Sequence, residues 1–182
     1  IYAGTGEANY AHHSRFGLGL YKSTDGGDNW ETLAAEVFSG RCFSRLLIDP
    51  ANPQRLYAAI TPAGGFPALC AAKGHPGATG PVGVFRSDDA GVTWTQLLNG
   101  LPNLAATDLA MDPVNPAILY AAIGHIFGSP ENGIYKSTDG GDSWTKLGGG
   151  LPTEKVGRIS VSVAPSLPTR LYALICHSSD EA

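Results

Sequence analysis

Three copies of one eight-residue phrase constrain this chain more than anything else in it. They read Ser23-Thr24-Asp25-Gly26-Gly27-Asp28-Asn29-Trp30, Ser87-Asp88-Asp89-Ala90-Gly91-Val92-Thr93-Trp94 and Ser137-Thr138-Asp139-Gly140-Gly141-Asp142-Ser143-Trp144, a shared S-x-D-x-G-x-x-W. An aromatic–basic pair precedes each one: Tyr21-Lys22, Phe85-Arg86 and Tyr135-Lys136. The copies begin at residues 23, 87 and 137, so one supersecondary unit of 50 to 64 residues is used repeatedly.

A second phrase alternates with the first. It runs from Asp49-Pro50 to Leu56-Tyr57-Ala58-Ala59-Ile60, again from Asp112-Pro113 to Leu119-Tyr120-Ala121-Ala122-Ile123, and in worn form from Ala164-Pro165 to Leu171-Tyr172-Ala173. The chain opens on its last part, Ile1-Tyr2-Ala3-Gly4. Together the phrases describe a unit of four strands. Strand 1 alternates, as in Arg158-Ile159-Ser160-Val161-Ser162-Val163, and a proline-rich turn closes it, because proline cannot donate to a ladder. Strand 2 is the Leu-Tyr-Ala segment, and strand 3 ends in the aromatic–basic pair. Asp and Gly suit the turn that follows. Strand 4 starts at the tryptophan. Four short antiparallel strands per unit predict the blades of a β-propeller, an all-β fold. No stretch sustains a helical period.

The three phrases resemble the Asp-box, or bacterial neuraminidase repeat. It occurs in sialidases, xyloglucanase-type glycoside hydrolases, sortilin-like receptors and photosystem assembly factors. With Leu-Tyr-Ala before it and Gly100-Leu101-Pro102 or Gly150-Leu151-Pro152 after it, the pattern is most similar to the bacterial repeat propellers. The resemblance implies a fold. It implies no single function, since enzymes and non-enzymes share it. Ser23, Asp25, Gly27 and Trp30, with Ser87, Asp89, Gly91 and Trp94 and with Ser137, Asp139, Gly141 and Trp144, are expected to build the turns, with all three tryptophans largely buried.

The strand count predicts an incomplete propeller: blade one with strands 2 to 4 (about 1–34), blade two (about 41–98), blade three (about 104–148), and strands 1 and 2 of a fourth (about 156–176). A propeller of six to eight blades needs more. Further blades or another chain are expected to cover the open edges. A net charge of −4 gives no electrostatic case for nucleic acid, and no apolar run reaches membrane-spanning length, so membrane insertion is not expected. The sparse Lys and Arg, and the family resembled, imply an extracytoplasmic location. Cys42, Cys70 and Cys176 fit no metal or haem spacing, and no cofactor is expected. Either all three are isolated thiols or Cys42 pairs with Cys70.

In an up-and-down blade the 1–2 and 3–4 turns share one face, and the 2–3 and 4–1 loops share the other. The first face repeats almost unchanged. The second carries loops that differ from blade to blade, and variable loops on a rigid scaffold are where binding resides. The candidate binding set on that face is Glu7, Asn9, His12, Arg41, Phe66, His75, His125 and Arg158. Adjacent His12 and His13 point to opposite sides of an extended chain, which disfavours a shared metal ion. Arg41 and Arg158 each directly follow a Gly at the start of an innermost strand and are expected at matching places, with Arg45 further along. Sialidases hold a substrate carboxylate with three arginines, but Ala105-Ala106 occupy the place in blade three, so no triad assembles. Glycosidase chemistry needs two carboxylates across a cleft, and Glu7, Glu36, Asp108, Glu131 and Glu154 are the acids within reach of the loop face. No pair among them stands out. The expected function is a non-catalytic binding or scaffold module for a polysaccharide or a protein or peptide ligand. The alternative is a fragment of a glycoside hydrolase, xyloglucanase-like or sialidase-like.

Overall fold

Among the described residues, short alternating segments bounded by proline- and glycine-containing turns form thirteen strands and one four-residue helix. The structure, a computed structural model, describes residues 1–9, 14–62, 81–125 and 127–178. His12, Phe66, Cys70 and His75 lie outside the described residues.

Four antiparallel sheets follow one another along the chain. The first holds β1 (Tyr2–Gly4), β2 (Leu20–Lys22) and β3 (Glu31–Leu33). The second holds β4 (Arg41–Ile48), β5 (Leu56–Pro62), β6 (Gly83–Ser87) and β7 (Thr95–Gln96) in sequential order. The third repeats it with β8 (Ala106–Met111), β9 (Leu119–Ile123), β10 (Gly133–Ser137) and β11 (Thr145–Lys146). The fourth pairs β12 (Val156–Val163) with β13 (Leu171–His177). The first sheet lacks an innermost strand beside β1, and β13 has no outer neighbour among the described residues. This is the partial propeller that the repeats predict.

Strands β5 and β9 are buried along their whole Leu-Tyr-Ala-Ala-Ile runs because a neighbouring blade covers each face. Burial on both faces demands a continuous apolar run rather than alternation. The cores therefore lie between blades. One joins Tyr57, Val84 and Leu97 of the second sheet to Leu109, Leu119, Tyr135 and Trp144 of the third. Another joins Tyr120, Ala122 and Ile134 to Ile159, Val161 and Val163. The helix α1 (Ala35–Phe38) is too short to leave a period in the sequence. It seats Phe38 edge-on against Phe43, Phe85 and Trp94, with ring centroids 4.9 to 5.3 Å apart.

Each innermost strand carries a β-bulge at the same level, between Phe43 and Arg45, between Ala106 and Asp108, and between Val156 and Ile159. Hydroxyl side chains fill the first two. Ser44 Oγ lies 3.0 Å from Ala59 O of its own blade and 2.7 Å from Ala106 O of the next, its single proton being directed at one or shared between them. Thr107 Oγ1 reaches Ala122 O and Ile159 O in the same way, at 3.3 and 2.6 Å. The extra residue of a bulge leaves the ladder incomplete. Here a hydroxyl completes it and ties adjacent blades together.

The three S-x-D-x-G-x-x-W turns are one hydrogen-bonded object repeated. The serine hydroxyl donates to the aspartate at 2.7 or 2.8 Å and accepts the glycine N–H at 2.8 or 2.9 Å. The aspartate also accepts the backbone N–H four residues on, from Asn29, Thr93 or Ser143, and the side chain of that same residue. Each indole N–H donates to the carbonyl of Gly27, Gly91 or Gly141. These bonds favour the ionised carboxylate. The amide of Asn29 holds Asp25 far below its usual range. The Thr93 hydroxyl lowers Asp89 to about 2, and the Ser143 hydroxyl lowers Asp139 to about 2. Gly141 has φ +91°, and a Cβ there would sit 2.9 Å from Leu97, so both backbone conformation and the neighbouring blade require glycine.

One expectation fails. Trp144 is buried and Trp94 half-buried, but Trp30 is 44% exposed. The indole of each turn packs towards the preceding blade: Trp144 lies in the core shared with Tyr57 and Leu97. Among the described residues no such neighbouring blade covers Trp30.

Candidate functional site

The loop and turn faces separate as the topology requires. Backbone bonds join the proline-rich turns to the S-x-D-x-G turns: Ala90 N–H to Gln54 O, and Gly140 N–H to Ala117 O. Ion pairs reinforce that face. Arg55 and Arg86 share Asp88, at 2.6 and 3.1 Å, and Arg86 crosses to Asp142 of the next blade at 2.6 Å. Arg55, Arg86, Asp88 and Asp142 are thus occupied by one another.

On the opposite face the predicted residues are only partly gathered. Glu7 holds its own loop, accepting the Arg15 N–H at 2.7 Å. Asn9 accepts the Ser14 hydroxyl. Both are exposed. His125 is half-buried, its ring tilted against Phe127 with centroids 5.5 Å apart. Asn132, only 1% exposed, clamps this loop: it bonds both backbone groups of His125 and donates to Val156 O at 2.6 Å.

Arg41 and Arg158 do not occupy matching places. Arg41 pairs with Pro62, and the residue in the same register of β12 is Val156, opposite His177. Arg41 is buried, whereas Arg158 is half-buried in the bulge of β12. The bulge and the differing loop lengths before the strands displaced the alignment based on glycine.

Two recesses stand out where blades meet. The first, of about 390 Å³, lies on the loop face and is lined by Phe127, Ser129, Thr153, Glu154, Lys155 and Ser178, among others. It is built by the 2–3 loop of blade three, the 4–1 connection after it and the residue following β13. An aromatic ring, three hydroxyls and an ion of each sign are presented together. Lys155 is held in the left-handed region, at φ +52°, and its carbonyl accepts the Ser178 N–H at 2.7 Å. Phe127 and Glu154 were absent from the expected binding set, because loop-to-loop proximity across two blades leaves no local signature.

The second recess, of about 400 Å³, runs from the innermost strands onto the open face of β12 and β13 and is lined by Arg45, Asp108, Ser160, Ser162, Tyr172 and Leu174, among others. Arg45 Nε donates to Asp108 Oδ1 at 2.8 Å. Asp108 also accepts the N–H groups of Leu109 and Val161, at 2.9 and 3.0 Å. All its oxygens are thus committed, which fits a positioning group and not an acid catalyst. Arg45, Asp108 and Ser160 each stand four residues before the Asp49, Asp112 or Ala164 that opens a proline-rich turn. That counting was available in the sequence and identifies one channel level in three successive blades.

Among the described residues no group of three or more His, Cys, Asp or Glu side chains is arranged to hold a metal ion. No helix among them is long and apolar enough to cross a membrane.

No protein-family model and no curated protein matches this chain. Solved structures do. An ancestral GH74 enzyme is 17% identical with a TM-score of 0.62, over 94% of this chain and 21% of that one. The GH74 enzyme of Niastella koreensis is 21% identical with a TM-score of 0.59, over 91% of this chain and 25% of that one. The GH74 xyloglucanase of Xanthomonas campestris is 20% identical with a TM-score of 0.52, over 89% and 25%. This chain therefore spans a quarter or less of the structures it matches. At these identities the likeness concerns the fold, and with the sequential four-stranded sheets it makes this chain part of a β-propeller.

Proposed function

We propose that the chain is part of an extracytoplasmic Asp-box propeller and serves as a non-catalytic saccharide-binding module. The loop-face recess carries this reading. Sugar rings bind by laying their C–H faces on an aromatic ring while hydroxyl and charged groups meet the ring hydroxyls, and Phe127, Ser129, Thr153, Glu154 and Ser178 supply both kinds of contact. Among the residues lining this recess Glu154 is the sole carboxylate, and in the channel recess Asp108 is. Retaining and inverting glycosidases use two carboxylates facing one bond. Further blades or a partner chain are proposed to cover Trp30 on one side and Tyr172 and Leu174 on the other.

The test is amide chemical-shift mapping against a panel of neutral oligosaccharides. Ligand-dependent shifts are expected at Phe127, Ser129 and Lys155, and Phe127→Ala weakens the binding by about tenfold, as for loss of an aromatic platform. No shifts with any member, or shifts confined to the S-x-D-x-G turns, refute the reading.

A second reading, a piece of a glycoside hydrolase, draws on the GH74 likeness. It predicts release of reducing ends from xyloglucan by the chain, abolished in Glu154→Gln. The binding reading predicts none.

A further inference from the structure

The sequence holds two Asn-Gly steps, Asn99-Gly100 and Asn132-Gly133, and the fold treats them in opposite ways. Asn132 is buried, its side chain makes three hydrogen bonds, and Gly133 is held in the ladder opposite Ile123. Asn99 is exposed and lies in the connection between β7 and β8. Among the described residues its side-chain amide makes one bond, from Nδ2 to Asp142 O at 2.9 Å, and its backbone carbonyl accepts the Trp144 N–H at 3.0 Å. These two bonds clasp blade two to the S-x-D-x-G turn of blade three. Gly100 is dictated by the same contact: its φ is +83°, and a Cβ there would sit 2.0 Å from Trp144 O. Among the described residues the Gly100 N–H has no hydrogen-bond partner.

We propose that Asn99-Gly100 is a site of self-modification, a deamidation that releases this clasp. The Gly100 nitrogen, after losing its proton to base, attacks Asn99 Cγ. The bond from Cγ to the side-chain nitrogen breaks, ammonia leaves and a five-membered succinimide forms. Water then opens the ring at either carbonyl, giving aspartate or, with the chain continuing through the side chain, isoaspartate. Three features favour the step here: glycine puts no side chain in the path of attack, the attacking nitrogen gives up no hydrogen bond, and solvent reaches the amide. At Asn132, ring closure would instead break three bonds in a buried setting. Either product loses the Nδ2 donor to Asp142 O. Isoaspartate also lengthens the main chain by one methylene and turns the carbonyl that holds the Trp144 N–H into part of a pendant carboxylate. The glycine cannot be exchanged without striking Trp144, so the reactive step is built into the junction.

The experiment incubates the whole chain at pH 8, folded and in urea, and maps deamidation by peptide mass spectrometry, with electron-transfer fragmentation to separate isoaspartate from aspartate. In urea both Asn-Gly steps are expected to react at similar rates. In the folded chain Asn99 is expected to react at least about tenfold faster than Asn132, because only the second is protected by the fold. Asn99→Gln should suppress the reaction at this position, since the longer side chain closes a ring poorly. Hydrogen exchange then compares the isoaspartate fraction with unmodified protein: the Trp144 amide is expected to exchange at least about tenfold faster, while the amides of β9 keep their parental rates. Asn99→Asp loses the same donor without lengthening the chain and keeps the test valid if the isoaspartate form does not stay folded; its Trp144 amide should exchange several-fold faster than the parent's. Equal rates at Asn99 and Asn132 in the folded chain, reaction at Asn99 in urea but not in the folded chain, or parental exchange at Trp144 in the isoaspartate fraction or in Asn99→Asp would each overturn the proposal.

Discussion

The hydroxyl of Tyr57 donates to the carbonyl of Gly140, 83 residues later, at 2.8 Å. Tyr2 makes the same bond to Ala90 O at 3.0 Å, so the tyrosines of β1 and β5 latch the turn of the following blade. Arg86 Nη1 shares the Gly140 carbonyl at 3.0 Å. Because the carbonyl keeps that second donor, Tyr57→Phe should cost only about 1 kcal/mol, the net value of one hydrogen bond. Removing Arg86 as well should cost more than the two single changes summed, since the buried carbonyl then has neither donor. Chemical denaturation of the four members of this cycle measures the coupling.

The tryptophans of the repeated turns should differ in energetic weight despite their identical sequence setting. Trp144→Ala opens a cavity in the core between blades two and three and should destabilise by about 3–5 kcal/mol. Trp30 is 44% exposed, and Trp30→Ala should cost about 1 kcal/mol or less. Thermal unfolding of both variants decides it; equal losses would contradict the one-sided packing described above.

Acid should unfasten the turns late. The folded pKa values of Asp89 and Asp139, about 2, lie below the unfolded value near 4. A lowered folded pKa contributes stability that is fully present above about pH 4 and is lost as pH falls through about 2. Carboxyl carbon shifts followed by NMR should show both groups still ionised at pH 3, where a free aspartic acid is mostly protonated.

The two described cysteines should react very differently. Cys42 carries a free thiol that is wholly buried, and desolvation pushes it up to about 11. Thiolate is the reactive form. Iodoacetamide at pH 8 should therefore label Cys176, which is exposed, and reach Cys42 only after denaturation. Peptide mapping by mass spectrometry reads both sites.

The fold was legible because its signals are local. S-x-D-x-G-x-x-W contains every atom of its own hydrogen-bonded turn, and Leu-Tyr-Ala-Ala-Ile announces a strand covered on both faces. Even so, the role of Asn29, Thr93 and Ser143 as the aspartate's second anchor escaped, because three different residue types perform it. The sites were poorly legible. Arg45 meets Asp108 63 residues away, and the partnership depends on a bulge that shifts the register by one. Arg41 and Arg158 looked equivalent by their distance from a glycine, but pairing with β5 and β13 fixes equivalence, and that aligns Arg41 with Val156.

The tyrosine latches all point the same way along the chain. Tyr2 waits for Ala90, and Tyr57 waits for Gly140. During synthesis each donor thus emerges from the ribosome before its acceptor, and a completed blade presents the template on which the next one condenses. Assembly gains a direction, from the amino-terminal side onward. A pause in translation after the second sheet would leave Tyr57 unmatched but that sheet already complete.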